Sequence, residues 1–190
     1  MFGWHKRGAS GNLAPAKLVS GLIFSCNVAL DEIRQELEAR FCPISSVSEC
    51  KPFSWTSYYQ KEMGQKLNRV FLAFDCLVQQ ECLVDAKHMS IALESKWRVG
   101  GNRQVNVDPG ILTAERLVLA TTKNFTHRIY LAKGIFADLT LIYRKGGFRP
   151  LEWTYPDYRE PWSLAFWNKV RQMYLEQLRA DRVGQRPQGE

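Results

Sequence analysis

Between Val105 and Tyr158 the sequence interleaves Asn106, Asp108, Thr121, Thr122, Lys123, His127, Arg128, Asp138, Arg144, Tyr155 and Asp157 with strongly apolar stretches. Polar groups in a segment that must be buried are generally paired or used. His127 and Asp138 are the first candidates, because a carboxylate that orients an imidazole prepares a general base. Asp108 supplies a further carboxylate, and together the three would suit a phosphoester or related small substrate. The same side chains can equally form a structural pair in a sheet. Lys123, Arg144, Lys145 and Arg149 are candidate phosphate or anion ligands, with Phe148 close by for stacking. A basic turn closing a hairpin explains them as well.

Two further stretches carry polar and aromatic groups at short spacing. Asn106-Val107-Asp108-Pro109-Gly110 places alternate polar side chains at a strand end ahead of a helix start. Such a junction offers N–H groups to an anion, carboxylates to Mg²⁺, or a simple Asx-turn. Trp153-Thr154-Tyr155-Pro156-Asp157-Tyr158 either lines a pocket or pins the last helix. Asn106, Tyr130, Trp153, Tyr155 and Asp157 are therefore the candidate pocket-lining set.

Charge narrows the partners. The net charge of +7 is local: residues 123–150 hold six cations against Asp138 alone. A basic patch of this kind favours phosphate, nucleotide or RNA. The five cysteines, Cys26, Cys42, Cys50, Cys76 and Cys82, show no CxxC and no histidine at ligand spacing, so thiols are expected and no metal site. No apolar run approaches the ~18 residues of a membrane span, and the N-terminus lacks the apolar core of a secretory signal. A cytoplasmic location is the default expectation.

The elements that must position these groups follow from periodicity. With 45% apolar and 12% aromatic residues, the chain has the composition of a folded protein. Ala16 to Ser25 reads as a central strand, with Gly21 marking a close backbone approach. Asn27 is the expected cap of a helix near 28–41, on which Leu30, Ile33, Leu37 and Phe41 share a face. Strands are expected at Val47 to Phe53 and Leu67 to Leu77, a helix near 80–96, and a short strand at Gln104 to Val107. That order predicts an α+β fold, a ferredoxin-like βαββαβ sandwich. Its extensions are a short helix from Thr113 to about Thr122, a hairpin from His127 to Arg144, and a C-terminal helix from Pro161. One domain spans 15–180, between flexible tails at 1–14 and 181–190.

A two-residue turn at Lys133-Gly134 sets the hairpin register by counting. Tyr130 then faces Ala137, Arg128 faces Leu139, and His127 faces Thr140. His127 and Asp138 become diagonal neighbours, roughly 6–8 Å apart at the backbone. Arg128 falls on the apolar face, where Asp108 or Asp157 is its expected partner.

Leu18 to Phe24, YYQKEMG at Tyr58 to Gly64, NVDPGILT at Asn106 to Thr113, LVLATTKNFTHRIYL at Leu117 to Leu131 and WTYPDYR at Trp153 to Arg159 resemble a bacterial and archaeal family catalogued as domain of unknown function 4416. The resemblance runs from about Ala16 to Leu178. Relatives often carry Asp-Gly or Gly-Asp-Gly at the hairpin turn, where this chain has Lys133-Gly134. Members are sometimes labelled GTP-binding proteins, but the chain holds no GxxxxGK[ST] loop. Thr122-Lys123-Asn124-Phe125 also lacks the Asp of a guanine-reading motif. The resemblance supplies neither a cofactor nor a mechanism.

Three functions compete on these residues: a binding module for a nucleotide or RNA through the basic hairpin, an enzyme using His127, Asp138 and Asp108, and a protein–protein adaptor presenting Tyr58, Tyr59, Trp153 and Tyr155.

Overall fold

The computed structural model describes residues 13–56 and 58–184. In chain order the elements are β1 (Ala16–Ser25), α1 (Leu30–Arg40), β2 (Ile44–Val47), β3 (Lys51–Pro52), α2 (Gln60–Met63), β4 (Leu67–Val78), α3 (Leu83–Glu94), β5 (Arg98–Val99), β6 (Asn102–Arg103), β7 (Val105–Leu112), β8 (Arg116–Thr121), β9 (Arg128–Ala132), β10 (Ile135–Arg144), β11 (Gly147–Pro150), α4 (Pro156–Arg159) and α5 (Pro161–Gly184). The fold is mixed α+β, built on a large antiparallel sheet ordered β11-β10-β8-β7-β1-β4-β2. β3 adds to β4, and β9 to β10.

β1 is buried along its whole length, because the sheet is covered on both faces. Leu18, Leu22 and Phe24 meet α1 through Ile33 and Leu37, and α3 through Leu83, Ala86 and Leu93. On the opposite face Val19 joins Phe71, Leu117 and Leu141 beneath Phe166, Trp167, Val170 and Tyr174 of α5. A strand that packs against helices on both sides reads as a largely apolar run, and the buried Lys17 and Ser20 of β1 are bonded, Lys17 to Gln177 and Ser20 to Asp108 O.

Several expected elements differ. α1 is capped by the backbone of Ala29, not by Asn27, and no side chain caps it. The second strand begins earlier than expected, at Ile44, and β3 covers only Lys51 and Pro52. The expected short helix over Thr113–Thr122 is strand β8. Thr113 caps nothing: it closes the β7–β8 turn, its Oγ1 donating to Glu115 Oε2 at 2.7 Å. Arg116 to Thr121 finds strand partners on both sides, β7 and β10, and that pairing outweighs a weak helical pattern. Nor is Asp108-Pro109-Gly110 a turn. It lies inside β7, and Pro109 is tolerated because pairing with β8 begins only at Gly110.

Of the expected tails, residues 1–12 and 185–190 lie outside the described residues, while 181–184 continue α5. Cys42 and Cys76, expected as thiols, form a disulfide. Asp75 N donates to Pro43 O at 2.7 Å, which brings the two Cα atoms to 6.2 Å, within disulfide reach. Cys26 and Cys50 are exposed thiols, and Cys82 is half-buried. No helix among the described residues is long and apolar enough to cross a membrane.

Candidate functional site

The sheet opens between β7 and β8. The two strands pair only over Gly110–Leu112 and Leu117–Leu119, although β1 accompanies β7 from Val105 onward. Gly110 permits this tight crossing, since a Cβ there would lie 2.7 Å from both Leu119 Cδ2 and Val118 O. Upstream of Gly110 the outer edge of β7 has no strand beside it, and an unpaired backbone edge must find other partners. Two side chains of α3 supply them: Glu94 Oε1 accepts from Val107 N at 2.8 Å, and Lys87 Nζ donates to Val107 O at 3.0 Å.

The gap is a cleft of about 450 Å³. Its floor carries the buried Arg69, Asn106 and Asp157 and the half-buried Asp108, its walls the buried Lys87, Glu94 and Asp138, and its mouth the exposed Trp55, Tyr58, Lys123 and Tyr155. Residues of β1, β4, α3, β7, β8, β10 and α4 thus meet in one place.

Lining carboxylates are held by cations. Asp108 accepts from Lys87 Nζ at 3.0 Å and from Asn106 Nδ2 at 2.7 Å. Burial alone would raise its pKa, but Lys87, Arg69 and these hydrogen bonds outweigh that and keep it below the usual carboxylate value. Glu94 goes the other way: burial raises its pKa despite Lys87, the Val107 N–H and Arg103. Arg103 ties Glu62 to Glu94, its Nη1 reaching Glu94 Oε2 at 3.0 Å and its Nε reaching Glu62 Oε1 at 2.9 Å. Burial likewise raises the Tyr155 phenol.

Arg69 anchors the floor. Its Nη2 pairs with Asp157 Oδ2 at 2.7 Å, the two side chains only 4% and 5% exposed. Its guanidinium carbon lies 4.6 Å from the Phe71 ring centroid and 4.9 Å from that of Tyr158. Arg69 Nε and Nη1 and the Tyr158 hydroxyl find no hydrogen-bond partner among the described residues. Gly21 leaves the room they need, because a Cβ there would sit 2.4 Å from Tyr158 Oη and 3.1 Å from Arg69 Nη1. The close approach expected at Gly21 is therefore real.

The hairpin turns at Lys133 and Gly134, both with positive φ (50° and 75°), as a two-residue turn requires. Counting from it nevertheless misplaces the register, because it shifts by one residue between Ile135 and Phe136. Tyr130 consequently faces Phe136, and Arg128 faces Asp138. That opposition, not the expected pairing with Asp108 or Asp157, gives the Arg128 Nε to Asp138 Oδ2 contact of 2.9 Å. Arg128 also donates to Tyr155 Oη at 2.6 Å and to Lys123 O at 3.0 Å. His127 Nε2 still reaches Asp138 Oδ2, at 3.4 Å, but shares that oxygen with a guanidinium. The His127 ring stacks on Trp153, centroids 5.0 Å apart at 11°, and lines a shallow second groove with Phe125, Thr126 and Glu152.

Of the residues singled out in the sequence, Asn106, Asp108, Lys123, Asp138, Tyr155 and Asp157 meet in the cleft with Tyr58, Tyr59, Thr121 and Thr122, and His127 and Trp153 border the second groove. Tyr130 lines neither and is exposed, its ring edge-on to Phe136. Arg144, Lys145 and Arg149 lie at the β10–β11 turn. Arg144 lies six positions along β10 from Asp138, roughly 20 Å of extended chain. The basic residues of the second half therefore form no single patch with Lys123.

Arg69, Lys87, Glu94 and Arg103 line the cleft without having been singled out. Lys87 and Glu94 stand seven residues apart on one face of α3, a spacing visible in the sequence, which does not show the strand edge they meet. A charged Arg69 within an apolar strand was a second available signal.

Cleft and fold together define an α+β protein whose polar site opens at a split in its own sheet. The chain belongs to the family described as Domain of unknown function (DUF4416), whose model matches residues 14–174 of the 190. No curated protein and no solved structure matches it.

Proposed function

We propose that the protein is a binding module for a small phosphate-bearing ligand of about nucleotide size, held in the β7–β8 cleft. One observation carries the reading: the family-resembling segments, distant in sequence, contribute to one cavity whose volume suits a small molecule. Lys123 supports the anionic end. Its ammonium lies 3.8 Å from the Tyr58 ring centroid and has no carboxylate partner among the described residues, so its charge is available at the mouth. Trp55, Tyr58 and Tyr155 offer flat apolar surface for a planar group. Asp108, Asp138, Asp157 and Glu94 each face a cation, which favours recognition over proton transfer. Of the basic residues, Lys123 lines the cleft, Arg128 stands behind it against Asp138 and Tyr155, and Arg144, Lys145 and Arg149 lie outside it.

The order β7-β1-β4-β2, with α1 and α3 on one face, supports reading the first half as a ferredoxin-like unit. On that reading β8, β10 and β11 extend it, and the cleft forms where the extension departs.

Isothermal titration calorimetry with nucleoside mono- and triphosphates, sugar phosphates and inorganic phosphate tests the function. Saturable one-to-one binding of a phosphate ester is expected, weakened about ten-fold by Lys123→Ala with the melting temperature unchanged, as for one lost charged contact. If no phosphate compound binds at millimolar concentration, the reading is wrong.

A further inference from the structure

We infer that the ligand of this cleft is the end of a single-stranded oligonucleotide, with a second base seated in the neighbouring groove of Phe125, His127 and Trp153. The inference rests on the phosphate-ligand reading above and extends it from one nucleotide to at least two. The two depressions share a wall. Asp138 lines the cleft and also touches His127, which lines the groove. The chain from Thr121 to Arg128 forms the ridge between them, with Lys123 on the cleft side and His127 on the groove side.

The groove is built as a stacking surface. Trp153 is fixed by its Nε1–H, which donates to Leu139 O at 2.8 Å, and by the His127 ring lying nearly parallel to it. Phe125 stands edge-on to His127 with centroids 5.4 Å apart. Phe125 is 62% exposed and Trp153 39%, and exposed aromatic rings held in place by a folded scaffold are what unpaired bases stack on. Charge sorts the parts of the strand. Glu152 lines the groove and disfavours a phosphate there, so a base is its natural occupant. The ridge carries the exposed Lys123, braced from beneath by the buried Arg128 guanidinium that donates to Lys123 O, and a phosphate linking the two bases would lie against the Lys123 ammonium.

Calorimetry with adenosine monophosphate, the dinucleotide ApA and the tetranucleotides A4 and dA4 tests the inference. ApA is expected to bind about ten-fold more tightly than the mononucleotide, the contribution of one base–aromatic stack. Phe125→Ala and Trp153→Ala should each remove most of that gain while leaving mononucleotide affinity intact. Phe125 is largely exposed, so its variant remains informative if Trp153→Ala fails to fold. Equal affinity for A4 and dA4 supports a stacking site indifferent to the sugar, and preference for either assigns RNA or DNA as the source. Equal affinity for mononucleotide and ApA would falsify the inference while leaving the phosphate-ligand reading intact, as would a gain that survives both substitutions. Absence of binding by every phosphate compound removes both.

Discussion

At the scale of single residues, the cleft floor depends on a glycine and an unpartnered hydroxyl. Gly21 faces Phe71 on one side and Asp108 on the other, so any side chain it carried would project into the Arg69–Tyr158 contact. Gly21→Ala is expected to lower stability by about 1–3 kcal/mol, the usual range for overpacking a filled site. Tyr158→Phe removes the clashing oxygen, which has no hydrogen bond among the described residues to lose. The double variant should therefore recover part of the loss, a coupling readable in urea unfolding of the four-member cycle. Strictly additive effects would show that the clash is relieved elsewhere. At the same scale, Asp138 Oδ2 faces both the His127 imidazole and the Arg128 guanidinium.

At the scale of elements, the opening of the sheet is possible because a helix completes a strand. The β7 edge at Val107 takes its donor and acceptor from Lys87 and Glu94, where another sheet would place a neighbouring strand. Glu94→Gln keeps an oxygen for Val107 N–H and removes a carboxylate that burial disfavours, but turns an NH2 toward Arg103, so its stability should fall by about 1 kcal/mol or less. Glu94→Ala leaves both Val107 N and one Arg103 donor without that partner, and should cost about 1–3 kcal/mol. Thermal or urea unfolding separates the two, and equal losses would mean that the charge of Glu94, not its acceptor, is what matters. The β9–β10 hairpin makes a complementary point. Its turn fixes where the strands start, but the register shift after Ile135 decides which faces meet.

At the scale of the whole molecule, three arrangements keep the cleft in shape. Helices cover the sheet on both faces, α5 fixes the β8–β10–β11 extension, and the Cys42–Cys76 disulfide ties the end of α1 to β4. The disulfide closes a loop with a sequence separation of 34, for which chain-entropy reasoning gives a stabilisation of roughly 4 kcal/mol. Adding dithiothreitol should lower the urea midpoint of the wild-type protein and leave that of Cys42→Ser unmoved. A wild-type midpoint indifferent to reductant would show that the two sulfurs are not joined in solution.

Residue chemistry and local periodicity determined much on their own. The buried run of β1, the stripe of α1, the turn at Lys133-Gly134 and the close approach at Gly21 each follow from a few neighbouring residues. So did most of the polar residues of β7, β8, β10 and α4 that meet in the cleft, because polar groups within apolar pattern are visible in sequence. What the sequence could not show was decided by partners far along the chain. β8 is a strand because β7 and β10 flank it, and Asp138 pairs with Arg128 because one residue bulges. Lys87 and Glu94 enter the site because β7 was left with a bare edge. Backbone pairing across a sheet is a long-range property, and the cleft exists only where that pairing stops.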